Sequence, residues 1–192
     1  MRPALLLLLI GATVGPVLDG LHTFSGAIWY PHPQLLRSVW WVPPIFAVAT
    51  LGIGLGRVYS ERVFDRPGRA LSWGQVLGAM GLFIGCYAAS GFLPVSEGWR
   101  ALLLVICFAI GWTAWDRTLL GLGSALLCGA CGWAVEHALV GHGLFFHRET
   151  TLDGIALWLP ALYFLAALAI GGLARRLSVE PSPPAPALTT MR

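Results

Sequence analysis

Gly111-Trp112-Thr113-Ala114-Trp115-Asp116-Arg117-Thr118-Leu119-Leu120-Gly121-Leu122-Gly123 joins two long apolar runs with almost nothing between them. The run before it, 99–115, and the run after it, 119–140, each approach the ~20 residues that a helix needs to cross a bilayer core. Only Asp116, Arg117 and Thr118 separate them, so the two helices must return antiparallel. The Asp-Arg pair marks the point where the chain meets water. Trp112 and Trp115, just before it, suit headgroup depth, where amphipathic rings settle. The stretch therefore reads as a turn at a membrane surface.

Composition leads the same way. The chain has 192 residues, is 57% hydrophobic and only 11% charged, against about 25% charged in an ordinary soluble domain. There is too little polar surface to cover a soluble globule of this kind. With no water in the hydrocarbon, backbone amides must pair within their own segment, so the spans should be helices. The fold class is all-α, a polytopic membrane protein with six transmembrane helices at about 3–21, 39–58, 73–93, 99–115, 119–140 and 155–174. All twelve basic residues are Arg, and the net charge of +3 is spread over loops without forming a basic face, which argues against nucleic acid as a partner.

Details of the spans add expectations. Pro16 should kink the first, and Asp19 either snorkels to the interface or lines a cavity, because an acid in a span is expensive. A secretory signal is the rival reading of this run, but no Ala-x-Ala site follows it and the apolar character resumes. Trp40-Trp41-Val42-Pro43-Pro44 opens the second span, where proline is tolerated in a first turn. Gly52 and Gly56, Gly74 and Gly78, and Gly81 and Gly85 match the small-xxx-small spacing of close helix approach. The loop 57–72 holds Arg57, Arg62, Arg66 and Arg69, and 178–192, with four prolines, is expected to be a disordered tail. Arginine is concentrated on the side that carries both termini, which puts both ends in the cytosol. The membrane is the inner membrane in a bacterium and the endoplasmic reticulum in a eukaryote.

Few side chains carry chemistry. Cys86, Cys107, Cys128 and Cys131 all lie within apolar runs. Cys128-Gly-Ala-Cys131 has CxxC spacing but no second pair, and reads as small side chains facing a neighbouring helix. Glu136-His137, with His142 and His147, has ligand types that suit zinc, yet the spacing matches no metal motif; a polar rim is the plainer reading, and no metal or cofactor is assigned. Asp19 and Glu136 lie near the same end of their spans, so a membrane enzyme acting on lipids through Glu136 and His137 stands as the alternative function.

Three stretches, taken together, resemble the Insig (insulin-induced gene) family of polytopic membrane proteins. They are Ser38-Val39-Trp40-Trp41-Val42-Pro43-Pro44, Ile110-Gly111-Trp112-Thr113-Ala114-Trp115-Asp116-Arg117 with the following Gly-Leu-Gly, and Trp158-Leu159-Pro160 running through Gly171-Gly172-Leu173-Ala174-Arg175-Arg176-Leu177. The resemblance implies one Insig-like domain over 1–177 and a regulator without catalysis. Eukaryotic members bind oxysterols, hold the SREBP cleavage-activating protein in the endoplasmic reticulum and recruit HMG-CoA reductase for degradation. Carried over by position, Asp116 matches the aspartate needed to engage the sterol-sensing partner. Phe83 and Trp112 match aromatic positions near the lipid pocket, and Trp115 joins them as a lipid-facing candidate. The polar N-terminal extension of animal members is missing here, and a bacterial host would lack the sterol-sensing partners.

The expected function is thus binding of a neutral lipid, a sterol or diacylglycerol, in an intramembrane cavity, coupled to membrane partners, other membrane proteins or further copies of the chain. Prolines and glycines should keep the helices from packing uniformly and leave the gap that such a ligand fills. Asp116 also has a plain reading, as a helix N-cap or a water-exposed partner of Arg117.

Overall fold

The computed structural model describes residues 2–34, 37–69 and 71–178. The tail expected at 178–192 lies outside them apart from Ser178. The described residues form six helices long and apolar enough to cross a membrane. They are α1 (Arg2–Ser25), α2 (Val42–Val63), α3 (Trp73–Phe92), α4 (Glu97–Trp115), α5 (Leu119–Gly141) and α6 (Leu159–Ser178). Two short strands, β1 (Ile28–Trp29) and β2 (Phe146–His147), pair antiparallel and were not expected from the sequence. They bind the loop after α1 to the loop after α5 at the end of the bundle opposite the termini.

The helices do not share the core equally. In α6, 72% of the span is buried, against 22–39% in the others, so α6 is a hub with five helices around it. Its sequence explains the position: Ala166, Ala167, Ala169, Gly171, Gly172 and Ala174 are all buried and let neighbours approach on every side. The surrounding helices keep apolar side chains such as Leu5, Val48, Leu77, Ile110 and Leu127 on their outer faces. Lipid, not water, is the solvent that tolerates such a surface.

Local signals set the helix ends. Ser72 and Gln75 form a reciprocal capping box at the start of α3, with bonds of 3.2 and 2.9 Å. The Thr118 hydroxyl accepts from the Gly121 amide at 2.9 Å to open α5. Between them Arg117 adopts a left-handed conformation, φ 59°, while the amides of Asp116 and Arg117 both return to the Trp112 carbonyl. That closes α4 in the manner usually given to glycine.

Boundaries move in α1, which runs on to Ser25 rather than residue 21, and in α2 and α6. α2 begins at Val42, not residue 39, because Trp40 and Trp41 lie in the preceding turn, and it runs to Val63. Arg57, expected in a charged loop, is therefore inside a helix and buried. α6 begins at Leu159, since Ile155 and Trp158 fold into the core within a loop pinned by a Leu152–Ile155 bridge. The glycine expectation also needs correction. A Cβ on Gly52, Gly56, Gly81 or Gly85 would meet nothing within 4 Å. Gly78 does make a close approach, since a Cβ there would meet the Trp115 ring of α4 at 3.2 Å. Closer approaches are made by Gly11 and Gly15 against Phe46 of α2, and by Gly129 and Gly132 against Phe164 and Tyr163 of α6.

Candidate functional site: a polarised cavity and a buried ion cluster

The bundle contains a cavity of about 140 Å³ bounded by α1, α2, α3, α5, α6 and the β1–β2 loops. Its volume is an order of magnitude above the ~10–15 Å³ that one water needs. Toward the middle of the bundle it is lined by Ile10, Gly11, Val14, Ile53, Met80 and Ile170. Ile45 on α2 and Val135 on α5 line it while staying 36% and 50% exposed, so it opens sideways between α2 and α5.

The end beneath β1 and β2 is polar. Asp19, 3% exposed, lines the cavity, which decides between the two expectations for it. Its carboxylate accepts from the Tyr30 hydroxyl at 2.8 Å and from the Ser38 hydroxyl at 2.6 Å. Burial, with the Asp19 charge added, pushes the Tyr30 phenol up, so it keeps its proton and remains a donor. Glu136 accepts from the Tyr163 hydroxyl at 2.6 Å and pairs with His147 Nε2 at 2.9 Å. His22 binds the Ser90 hydroxyl at 2.8 Å and stacks on Tyr87. Outside this ring Arg100 pairs with Glu149, whose other oxygen accepts from the Trp158 indole at 3.0 Å, fixing the covering loop.

Glu136 and His137 are not brought together in this fold. One residue apart on a helix, they face different directions: His137 is turned to Asp153 at the surface, at 3.5 Å. His147, distant in sequence, takes its place beside Glu136. Phe83 is 7% exposed and lines the cavity. Trp112 and Trp115 do not line it. The Trp112 indole donates to the Thr118 carbonyl at 3.1 Å, and Trp115 packs over Gly78 and Gly111. Both sit at the α4–α5 joint, a helix length away from the polar end.

Asp116 occupies a second site at that joint. Its side chain is 9% exposed and lies 3.1 Å from Arg57, which is 3% exposed, and 3.7 Å from Arg175. Glu61 bridges the same two arginines, at 3.0 and 3.2 Å. The Thr118 hydroxyl donates to Asp116 and accepts from Arg57. Asp116 is thus neither an N-cap nor a partner of Arg117, whose guanidinium turns back to the Thr113 carbonyl. Two positive and two negative groups cancel, tying α2, α4, α5 and α6 together at the end that carries the termini. Gly121 is needed beside them because a Cβ there would collide with the Asp116 carboxylate.

No family model matches the chain. The insulin-induced gene 1 protein of Xenopus tropicalis is 24% identical over 187 residues, covering 95% of this chain and 74% of that protein. The insulin-induced gene 2 protein of Gallus gallus is 25% identical over 181 residues, covering 91% and 80%. Among solved structures, the mycobacterial Insig homologue MvINS from Mycobacterium vanbaalenii superposes with a TM-score of 0.81 at 24% identity, over 91% of this chain and 93% of that one. A cross-linked cysteine variant of MvINS has been solved as a trimer. The chain is thus similar to Insig proteins along more than nine-tenths of its length and shares the six-helix fold of a solved Insig homologue.

Proposed function

We propose that this protein is a non-catalytic membrane regulator that holds a neutral lipid, a sterol or diacylglycerol, in the cavity between α1, α2 and α5. The observation that carries the reading is an apolar cavity opening sideways, between Ile45 and Val135, to the hydrocarbon from which such a ligand would come. Phe83 is the lipid contact among the aromatic candidates, and Trp112 and Trp115 act as wedges that hold the α4–α5 joint. Asp116 serves partner binding by fixing the helix ends that a partner meets, since its carboxylate is spent on Arg57 and Arg175. A ligand that prefers one spacing of α2 and α5 shifts the population toward it and so alters that face. The arginine bias places both termini in the cytosol, and the trimeric MvINS variant supports self-association.

Native mass spectrometry of the purified protein tests this directly. One co-purified neutral lipid per chain is expected, and Ala166→Leu, which pushes a side chain into the cavity from α6, should lower its occupancy with the helical content unchanged. Delipidated protein that takes up neither lipid class would refute the reading.

A further inference from the structure

We propose that the depression between the end of α2, the α2–α3 loop and the end of α6 binds the phosphate of an anionic phospholipid, with Arg62, Arg69 and Arg175 as the residues that recognise it. The site lies at the end of the bundle that carries the termini, away from the polar end of the cavity, and does not depend on what the cavity holds. It has a volume of about 350 Å³. Arg175, with a side chain 8% exposed, lines it: Nη1 lies 3.2 Å from Glu61, and Nη2 donates to the Arg69 carbonyl at 3.1 Å, which ties the loop to α6. Gly68 lets the loop lie this close, because a Cβ there would collide with the Arg175 guanidinium and the Glu61 carboxylate. Val58, Pro67 and Leu71 add an apolar wall.

Arg57, Arg175, Glu61 and Asp116 neutralise one another behind the site, so the charge it presents is set at its rim. The rim has Arg62 and Arg69 against one carboxylate, Asp65, an excess of one positive charge. All three are exposed, and among the described residues neither guanidinium has an ion pair or hydrogen bond. Arg57 Nη1, Arg175 Nε and Arg176 Nε are buried at the same end without an acceptor, so guanidinium hydrogens outnumber the oxygens that could receive them. A phosphodiester brings what is missing, one negative charge on oxygens that match the guanidinium fork. Depth names its source. Arg176 lies over the Trp73 ring at 5.4 Å, and Trp112 and Trp115 stand at the same end; such rings mark the headgroup layer, where phospholipid phosphates lie. With the termini in the cytosol, as proposed above, this is also the leaflet in which basic pockets between helices take anionic heads. A zwitterionic head carries its own cation and leaves the excess charge of the rim uncompensated, and free phosphate makes no use of the apolar wall.

The test uses the full chain in nanodiscs of equal parts phosphatidylglycerol and phosphatidylcholine, with the retained lipid read by native mass spectrometry. Phosphatidylglycerol should be retained about five-fold over phosphatidylcholine, the effect of one net charge at a membrane surface. Arg62→Gln and Arg69→Gln, each alone, remove that excess and should bring the ratio close to one. Asp65→Asn, which suits the left-handed φ of 48° as well as Asp does, should raise the ratio about five-fold further. Among the described residues none of these side chains has a partner to lose, so folding is unchanged. Arg66→Gln makes the same change in charge beside the site without lining it, and should leave the preference in place. Equal retention of the two lipids by the parent overturns the site. So does a preference that Arg66→Gln erases as fully as Arg62→Gln or Arg69→Gln, which is diffuse surface attraction. Displacement of phosphatidylglycerol by millimolar inorganic phosphate overturns the lipid as the source of the phosphate.

Discussion

Asp116→Asn is the substitution for which the structure gives the most definite expectation. The carboxylate belongs to a cluster of Arg57, Arg175, Glu61 and Asp116 in which two positive and two negative charges balance, with Arg57 and Asp116 only 3% and 9% exposed. Neutralising Asp116 leaves the cluster at +1 in a place where water cannot compensate. Removing one partner of a buried pair costs ~3–5 kcal/mol. Glu61 still lies 3.0 Å from Arg57 and 3.2 Å from Arg175, so about 2–3 kcal/mol is expected here. The double variant Arg57→Leu/Asp116→Asn should recover most of that loss, because it removes the stranded charge and leaves Arg175 with Glu61. Reversible unfolding in mixed detergent micelles, followed by tryptophan fluorescence, supplies both numbers. A single variant within about 0.5 kcal/mol of the parent, or a double variant at the sum of the singles, would refute the idea that Asp116 works by organising the joint.

Gly11→Ala should destabilise by roughly 1–3 kcal/mol, because the new methyl meets the Phe46 carbonyl and the Thr50 hydroxyl of α2, whereas Gly52→Ala and Gly81→Ala, which meet open space, should be neutral or gain up to ~1 kcal/mol from helix propensity; the same unfolding assay separates the two classes. Trp112→Ala should cost about 3 kcal/mol, with lipid occupancy per folded chain unchanged in native mass spectrometry, since the ring clasps the Thr118 carbonyl away from the cavity. Arg117→Gly should stabilise by up to ~1 kcal/mol by relieving a left-handed non-glycine residue, a gain that thermal unfolding detects.

Much of the fold was legible because membrane spans are written in length and composition, which survive without knowledge of packing. The α4–α5 joint is the clearest case: its three-residue connection sits where the sequence puts it, although Thr118 and not Asp116 caps α5. Arg57 was misplaced because a charged residue in an apolar run reads as the end of a span, when here the charge is cancelled by Asp116 and Glu61 from other elements. The glycine pairs misled for a related reason. Spacing marks a smooth stripe on a helix, but only the neighbours decide whether anything lies against it. The polar end of the cavity was half visible: Asp19 and Glu136 stood out as acids in spans, while His147 and Tyr163 joined them only through β1–β2 pairing and the α5–α6 contact. Histidine 137 drew attention by adjacency in sequence, which on a helix turns successive side chains about 100° apart.

The central place of α6 bears on how the molecule is made. The helix that the other five lean on is the last of the six to leave the ribosome, and at a mean hydropathy of 1.3 its span is the least apolar of them. The earlier helices can enter the bilayer one by one, each with an outward face that suits lipid, but they have no common partner until α6 arrives. Assembly is thereby completed only after insertion, and a chain interrupted before Leu159 would hold α1 and α2 packed through Gly11 and Gly15 but would lack the helix that joins α2, α3, α4 and α5.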